Sequence, residues 1–129
     1  NALASYGMHL GTAFQLIDDV LDLSGNVSQI GKNLGDDLSE GKPTLPLLIA
    51  LNRGDSKQSA TIRNAIEQGG LDELNAVLEA VNATGALSYV RQLAEKEANI
   101  ACEAISHLPD GAHKNALIQL AAFAVKRDF

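Results

Sequence analysis

The chain has 129 residues, 46% of them hydrophobic, a mean hydropathy near zero and a formal net charge of −6. That length holds at most one domain, and the composition is that of an ordinary soluble chain able to bury a core. The acidity (pI near 4.9) and the lack of Trp argue against a nucleic-acid or anionic-membrane surface. Cys102 has no partner for an internal disulfide, so a reducing compartment, the cytoplasm, is expected, with the thiol serving as a small apolar residue on a helix face. The apolar content is carried by Ala and Leu with few aromatics, which predicts an all-α fold. The longest apolar runs, 45–51 and 116–125, are too short or too polar to span a membrane, and no secretory signal is visible.

Residues 2–23 are predicted as one helix, stopped by Ser24-Gly25-Asn26. Within it, Phe14-Gln15-Leu16-Ile17-Asp18-Asp19-Val20-Leu21-Asp22 sets three carboxylates into an apolar run. At about 100° per residue, Asp18 and Asp22 lie one turn apart with Asp19 beside them, and Gln15, Gly11 and Met8 continue the stripe. Leu10, Phe14, Ile17 and Leu21 form a second stripe, and Ala13, Leu16, Val20 and Leu23 cover most of the rest. The acids therefore form a narrow line on a mostly buried helix. Such carboxylates repel one another and resist ionisation among apolar neighbours unless a cation neutralises them. No Lys or Arg occurs from Asn1 to Gly31, so the cation is expected to be a metal or a later part of the chain. Oxygen-only ligands suit a hard ion such as Mg²⁺, which is typically held by one or two carboxylates plus substrate phosphates. A solvated acidic face is the competing reading, and the apolar flanks count against it. His9 has Ala at residue 13 and so no ligand pair at helical spacing; it reads as a packed or partly exposed histidine.

Residues 25–43 read as a long loop punctuated by Gly25, Gly31, Gly35 and Gly41 and ended by Pro43. It carries Gly31-Lys32-Asn33-Leu34-Gly35-Asp36-Asp37-Leu38 and Glu40-Gly41-Lys42-Pro43-Thr44. Lys32 and Lys42, the first positive charges in the chain, can act as point charges for a phosphate whose metal ions rest on the aspartates. They can equally pair with Asp36, Asp37 or Glu40 at the surface.

A short helix is predicted over 44–52, with Pro46 tolerated in its first turn, then one over 55–68 with Ser56 as a possible cap and Ile62 and Ile66 inward. Gly69-Gly70 ends it. Residues 71–82 place Leu74, Val77, Leu78 and Val81 at helical spacing before Gly85. A long amphipathic helix over 86–108 turns Leu87, Val90, Ala94, Ala101, Ala104 and Ile105 inward, with Glu95, Lys96, Glu97 and Glu103 away from that face. Pro109-Asp110-Gly111 breaks it, and a last helix over 112–127 buries Leu117, Leu120, Ala121, Ala124 and Val125. These later helices carry no constellation with chemical character; His107 and His113 merely flank a turn.

The succession Phe14-Gln15-x-x-Asp18-Asp19-x-x-Asp22, Gly31-Lys32-x-x-Gly35-Asp36 and Glu40-Gly41-Lys42-Pro43-Thr44-Leu45-Pro46 resembles the second aspartate-rich motif and following lysine loop of the trans-polyprenyl diphosphate synthases. Residues 62–69 and 124–128 are similar to the C-terminal part of the bacterial octaprenyl-forming members. The resemblance implies that residues 1–129 are the C-terminal part of an isoprenoid-synthase helical bundle, usually homodimeric and dependent on Mg²⁺. Such enzymes ionise an allylic diphosphate, with farnesyl diphosphate expected here, to a carbocation that isopentenyl diphosphate attacks. The product would be a long-chain, octaprenyl-type diphosphate for quinone side chains such as that of ubiquinone. Carried over by position, Asp18 is the leading metal ligand and catalytic residue, with Asp19 and Asp22 direct or through water. Lys32 contacts the leaving diphosphate, Lys42 assists, and Gln15 and Phe14 bind substrate near the nascent cation.

The alternative is a non-catalytic synthase-like subunit that stabilises or regulates a heteromer; intact Asp18, Asp22 and Lys32 speak against it. A terpene cyclase is disfavoured by the 4% aromatic content, and a di-iron bundle by the lack of Glu-x-x-His. In this family the first aspartate-rich motif and the basic residues that seat isopentenyl diphosphate lie upstream, and Asn1 opens within a helix without an initiator Met. The chain is thus expected to be a piece of a longer enzyme. By itself it should give no product from farnesyl and isopentenyl diphosphates in a radiolabelled-product assay, and full turnover would overturn this reading.

Overall fold

The computed structural model describes residues 1–24, 35–69 and 72–127. They form seven helices: α1 Ala2–Ser24, α2 Asp36–Ser39, α3 Leu45–Arg53, α4 Ser56–Gln68, α5 Leu74–Ala83, α6 Ala86–Ala104 and α7 Ala112–Lys126. No strand occurs among the described residues, in agreement with the all-α expectation. The chain divides into two compact units, one made of Asn1–Asp18 with Arg91–Arg127 and one of Asp19–Val90; the divisions fall within α1 and within α6.

In the Asp19–Val90 unit, Leu23, Leu38, Leu47, Ala50, Ile62 and Val77 belong to one buried apolar cluster. α3, α4 and α5 pack on one another, and α2 on α4. The predicted helices occur with small shifts, each with a local reason. α4 is capped by Asp55 rather than Ser56: the Asp55 carboxylate accepts the Gln58 backbone N–H at 2.8 Å, and the Gln58 side chain accepts the Asp55 N–H at 2.9 Å. This reciprocal box satisfies two N–H groups that the first helical turn leaves without partners. Pro46 is buried in the first turn of α3, where its missing N–H costs nothing. α2 is a single helical turn inside the stretch read as loop, and it buries Leu38. At the end of α3, the Arg53 guanidinium stacks over the Tyr89 ring at 4.5 Å and donates to the Thr84 carbonyl at 3.2 Å, tying the end of α3 to the turn before α6.

In the other unit, Tyr6, Leu10, Ala13 and Ile17 of α1, Ala94, Ala98 and Ala101 of α6 and Ala121 and Ala124 of α7 are buried. Alanines dominate the α6 and α7 contribution, which permits close approach of the backbones. The Tyr6 hydroxyl donates to the Leu117 carbonyl at 2.7 Å, and burial raises its pKa. His9 pairs through Nδ1 with Glu97, so Glu97 turns toward α1 and not, as its polarity implied, away from the packed face. α6 stops at Ala104, short of Leu108, where Lys114 Nζ takes up the Ser106 and Leu108 carbonyls at 2.8 and 3.0 Å. Leu120, expected inward, is 42% exposed, as are Leu3, Met8 and Phe123 to comparable degrees.

Ile62 is fully buried at the centre of the first cluster. Ile62→Ala in the whole protein should destabilise it by about 2–5 kcal/mol, because the cavity adds to the lost transfer energy. Chemical denaturation followed by circular dichroism reads this, and an unchanged midpoint would contradict the placement.

Candidate functional site

The three aspartates lie in the last turns of α1, where the helix macrodipole is negative and the last turn holds no basic residue of its own. Their surroundings differ sharply along one helix. Asp18 is half exposed, whereas Asp19 and Asp22 are buried, at 8% and 1% exposure. The stripe continues toward the N-terminus through exposed Gln15, Gly11 and Met8. Phe14 is half-buried. The helix therefore presents an open polar line that ends in a sunken acidic step.

In the Asp19–Val90 unit, Asp22 fixes the return of the chain. Its backbone carbonyl accepts the Gly35 N–H at 2.8 Å, and its carboxylate Oδ1 accepts the Asp37 N–H at 3.2 Å. A buried carboxylate is tolerated only with such donors. The same Asp37 carries its side chain to Lys42, whose Nζ lies 3.6 Å from Asp37 and 3.1 Å from Glu40. Lys42 is thus in the surface pairing weighed from the sequence. Its hydrogen bond to Glu40, with the Glu40 and Asp37 charges, raises its pKa above the ordinary lysine value. Its position is set by Gly41, which holds φ +73°, and a Cβ there would stand 2.9 Å from the Ile66 carbonyl oxygen. Only glycine fits both constraints. Lys32 lies outside the described residues.

In the other unit, Asp18 meets a residue that the sequence reading passed over. Arg127, just beyond α7, pairs with Asp18 Oδ1 through Nη2, donates to the Phe14 carbonyl at 3.1 Å and stacks over the Phe14 ring at 4.9 Å. Its role rests on a contact 109 residues away in sequence, which helical spacing does not reveal.

Oxygen donors alone suit Mg²⁺, and Asp18, with a half-exposed carboxylate, fits a ligand. Asp19 and Asp22 are buried and far less open to an ion. No group of three or more His, Cys, Asp or Glu able to hold a metal ion occurs among the described residues. A separate apolar groove of about 350 Å³ between α6 and α7, lined by Ala98, Cys102, Ile118 and Ala121 among others, shares none of these residues; burial there raises the Cys102 thiol pKa.

Among the described residues the chain is all-helical, with the carboxylates at the end of α1 and Lys42 in the turn after α2. The chain belongs to the polyprenyl synthetase family, whose model matches residues 1–83. It is 57% identical over 127 residues to octaprenyl diphosphate synthase of Escherichia coli, covering 98% of this chain and 39% of that protein. It spans about two fifths of the length of the curated relatives it matches. A crystal structure of polyprenyl synthase from Caulobacter crescentus, complexed with calcium and isoprenyl diphosphate, superposes with a TM-score of 0.92 at 39% identity, over 99% of this chain and 40% of that one. Geranylgeranyl pyrophosphate synthase from Corynebacterium glutamicum, complexed with isoprenyl diphosphate and magnesium, gives 0.87 at 30% identity, over 98% and 37%. No described helix is long and apolar enough to cross a membrane.

Gly41→Ala should lower stability by about 1–3 kcal/mol and displace Lys42, because a strained φ and a backbone contact are imposed together. A denaturation midpoint equal to that of the parent would contradict this geometry.

Proposed function

We propose that this chain supplies the second metal and diphosphate half of a trans-polyprenyl diphosphate synthase. The whole enzyme elongates an allylic diphosphate, farnesyl diphosphate to begin, with isopentenyl diphosphate. Its product is octaprenyl diphosphate for a quinone side chain such as that of ubiquinone. The observation that carries the reading is the 57% identity to octaprenyl diphosphate synthase over 98% of the chain. The relatives solved with calcium or magnesium and isoprenyl diphosphate support the choice of ion and ligand class. On this reading the protein works as a cytoplasmic homodimer.

The roles follow from charge. Departure of diphosphate from an allylic carbon leaves a cation on carbon and concentrates negative charge on the leaving oxygen. Mg²⁺, when bound, acts as a Lewis acid that neutralises this charge. Asp18 would hold the ion directly, and the buried Asp19 and Asp22 would keep the end of α1 acidic. Lys32 contacts the leaving diphosphate, and Lys42, held by Asp37 and Glu40, adds a further positive charge at the loop. Gln15, exposed one turn before Asp19, and the half-buried Phe14 lie at the substrate end of the stripe. A polar amide there offers a dipole that can border a carbocation.

In the whole protein, Asp18→Ala and Lys32→Ala should each lower turnover by orders of magnitude while leaving the circular dichroism spectrum unchanged. Rates near those of the parent would refute the assignment. Product length, read by chromatography after incubation with farnesyl and isopentenyl diphosphates, tests the octaprenyl reading in the same preparations.

A further inference from the structure

Asp18 is the exposed member of the acidic line, and a carboxylate free to rotate at a helix surface is a poor metal ligand, because ordering it costs rotamer entropy at the moment of binding. In this structure it is not free to rotate. Arg127 donates to the Phe14 carbonyl at 3.1 Å and pairs with Asp18 Oδ1 through the same Nη2. Phe14 and Asp18 stand one turn apart on α1, so the guanidinium bridges a single helical turn. It is itself held, with its side chain only 10% exposed and its plane against the Phe14 ring at 4.9 Å. The contact joins residues 109 apart in sequence, so it is tertiary and not a local helix pair.

We infer that Arg127 is the positioning residue for the Asp18 carboxylate, holding one oxygen so that the other is presented to the divalent ion. This rests on Asp18 being a metal ligand. A surface arginine paired with Asp18 would instead act as a rival cation, displaced when the metal arrives. The burial of Arg127 argues against that role, since expelling the guanidinium from Asp18 would strand a buried charge. The ion must therefore bind with Arg127 in place. Ligating carboxylates depend on such outer partners, whose loss typically weakens metal binding about 10–100-fold. Lysine is a partial substitute only, because an ammonium can donate to the carbonyl and the carboxylate but lacks the flat guanidinium that lies over the Phe14 ring.

The test is titration of the whole protein with Mn²⁺ alone, the free ion being followed by electron paramagnetic resonance, for the parent, Asp18→Asn, Arg127→Gln and Arg127→Lys. Asp18→Asn should weaken Mn²⁺ binding, Arg127→Gln should weaken it about 10–100-fold, and Arg127→Lys should fall between Arg127→Gln and the parent. In turnover assays the apparent KM for Mg²⁺ should rise in Arg127→Gln, with kcat recovering at saturating Mg²⁺; a purely structural role would lower kcat and leave the ion affinity alone. If Asp18→Asn weakens binding while Arg127→Gln leaves it unchanged or tightens it, the positioning role is overturned and the ligand reading stands. If Asp18→Asn has no effect, the ligand reading falls and this inference falls with it. Should Arg127→Gln fail to fold, Arg127→Lys decides alone, and affinity equal to the parent overturns the proposal.

Discussion

The placement of carboxylates at the wrong end of a helix governs much of this structure. Asp18, Asp19 and Asp22 stand where the dipole of α1 already carries negative character, and two of the three are buried. Left alone, such like charges one turn apart would weaken the last turns. Asp22 is answered by backbone N–H groups: its carbonyl and carboxylate take donors from Gly35 and Asp37, and this fixes where the chain re-enters after residues 25–34. From that anchor the remaining geometry follows, with Leu38 entering the core, Gly41 forced close to α4, and Lys42 held by the side chain of the residue whose backbone serves Asp22.

Asp18 is answered differently, by a guanidinium from the far end of the sequence. The two solutions match the two environments. A nearly water-free carboxylate needs donors that cannot move away, and backbone amides in a tight turn are such donors. A half-exposed carboxylate has water available, and a single buried arginine constrains it without closing it off. One helix thus carries a structural acid and an accessible acid one turn apart, although their residue type is the same.

Much of this was legible in the sequence, and the limits have physical causes. Helical periods marked all the long helices, because Leu, Val and Ala recur at the spacing that a buried face demands. The line of Asp18, Asp19 and Asp22 was readable because helical geometry alone sets it. What depends on distant contacts was not: Glu97 was read as turned away because its charge favours water, and His9 changes that. Asp55 and Ser56 are both good caps, and only the reach of Gln58 decides between them. Leu120 was placed inward by spacing, yet α7 turns smaller alanines to the packed side. The unequal burial of Asp18 and Asp22 was hidden for the same reason, since periodicity gives the face of a helix but not how deep each end of that face lies.

The long reach of the Arg127 contact also bears on how the molecule is made. Residues 19–90 build their core from helices that are neighbours in sequence, whereas Tyr6 with Leu117, His9 with Glu97 and Asp18 with Arg127 join positions 111, 88 and 109 apart. Local contacts close sooner than distant ones, and domains assemble as synthesis proceeds from the N-terminus. The middle of the chain can therefore settle while α1 still waits for its partners. Asp18 is translated 109 residues before Arg127 and acquires that counter-charge only after α7 has been made. A nascent chain stalled before that helix would keep the 19–90 core yet lack an ordered acid at residue 18, and a tag fused directly after Arg127 would press on the same contact.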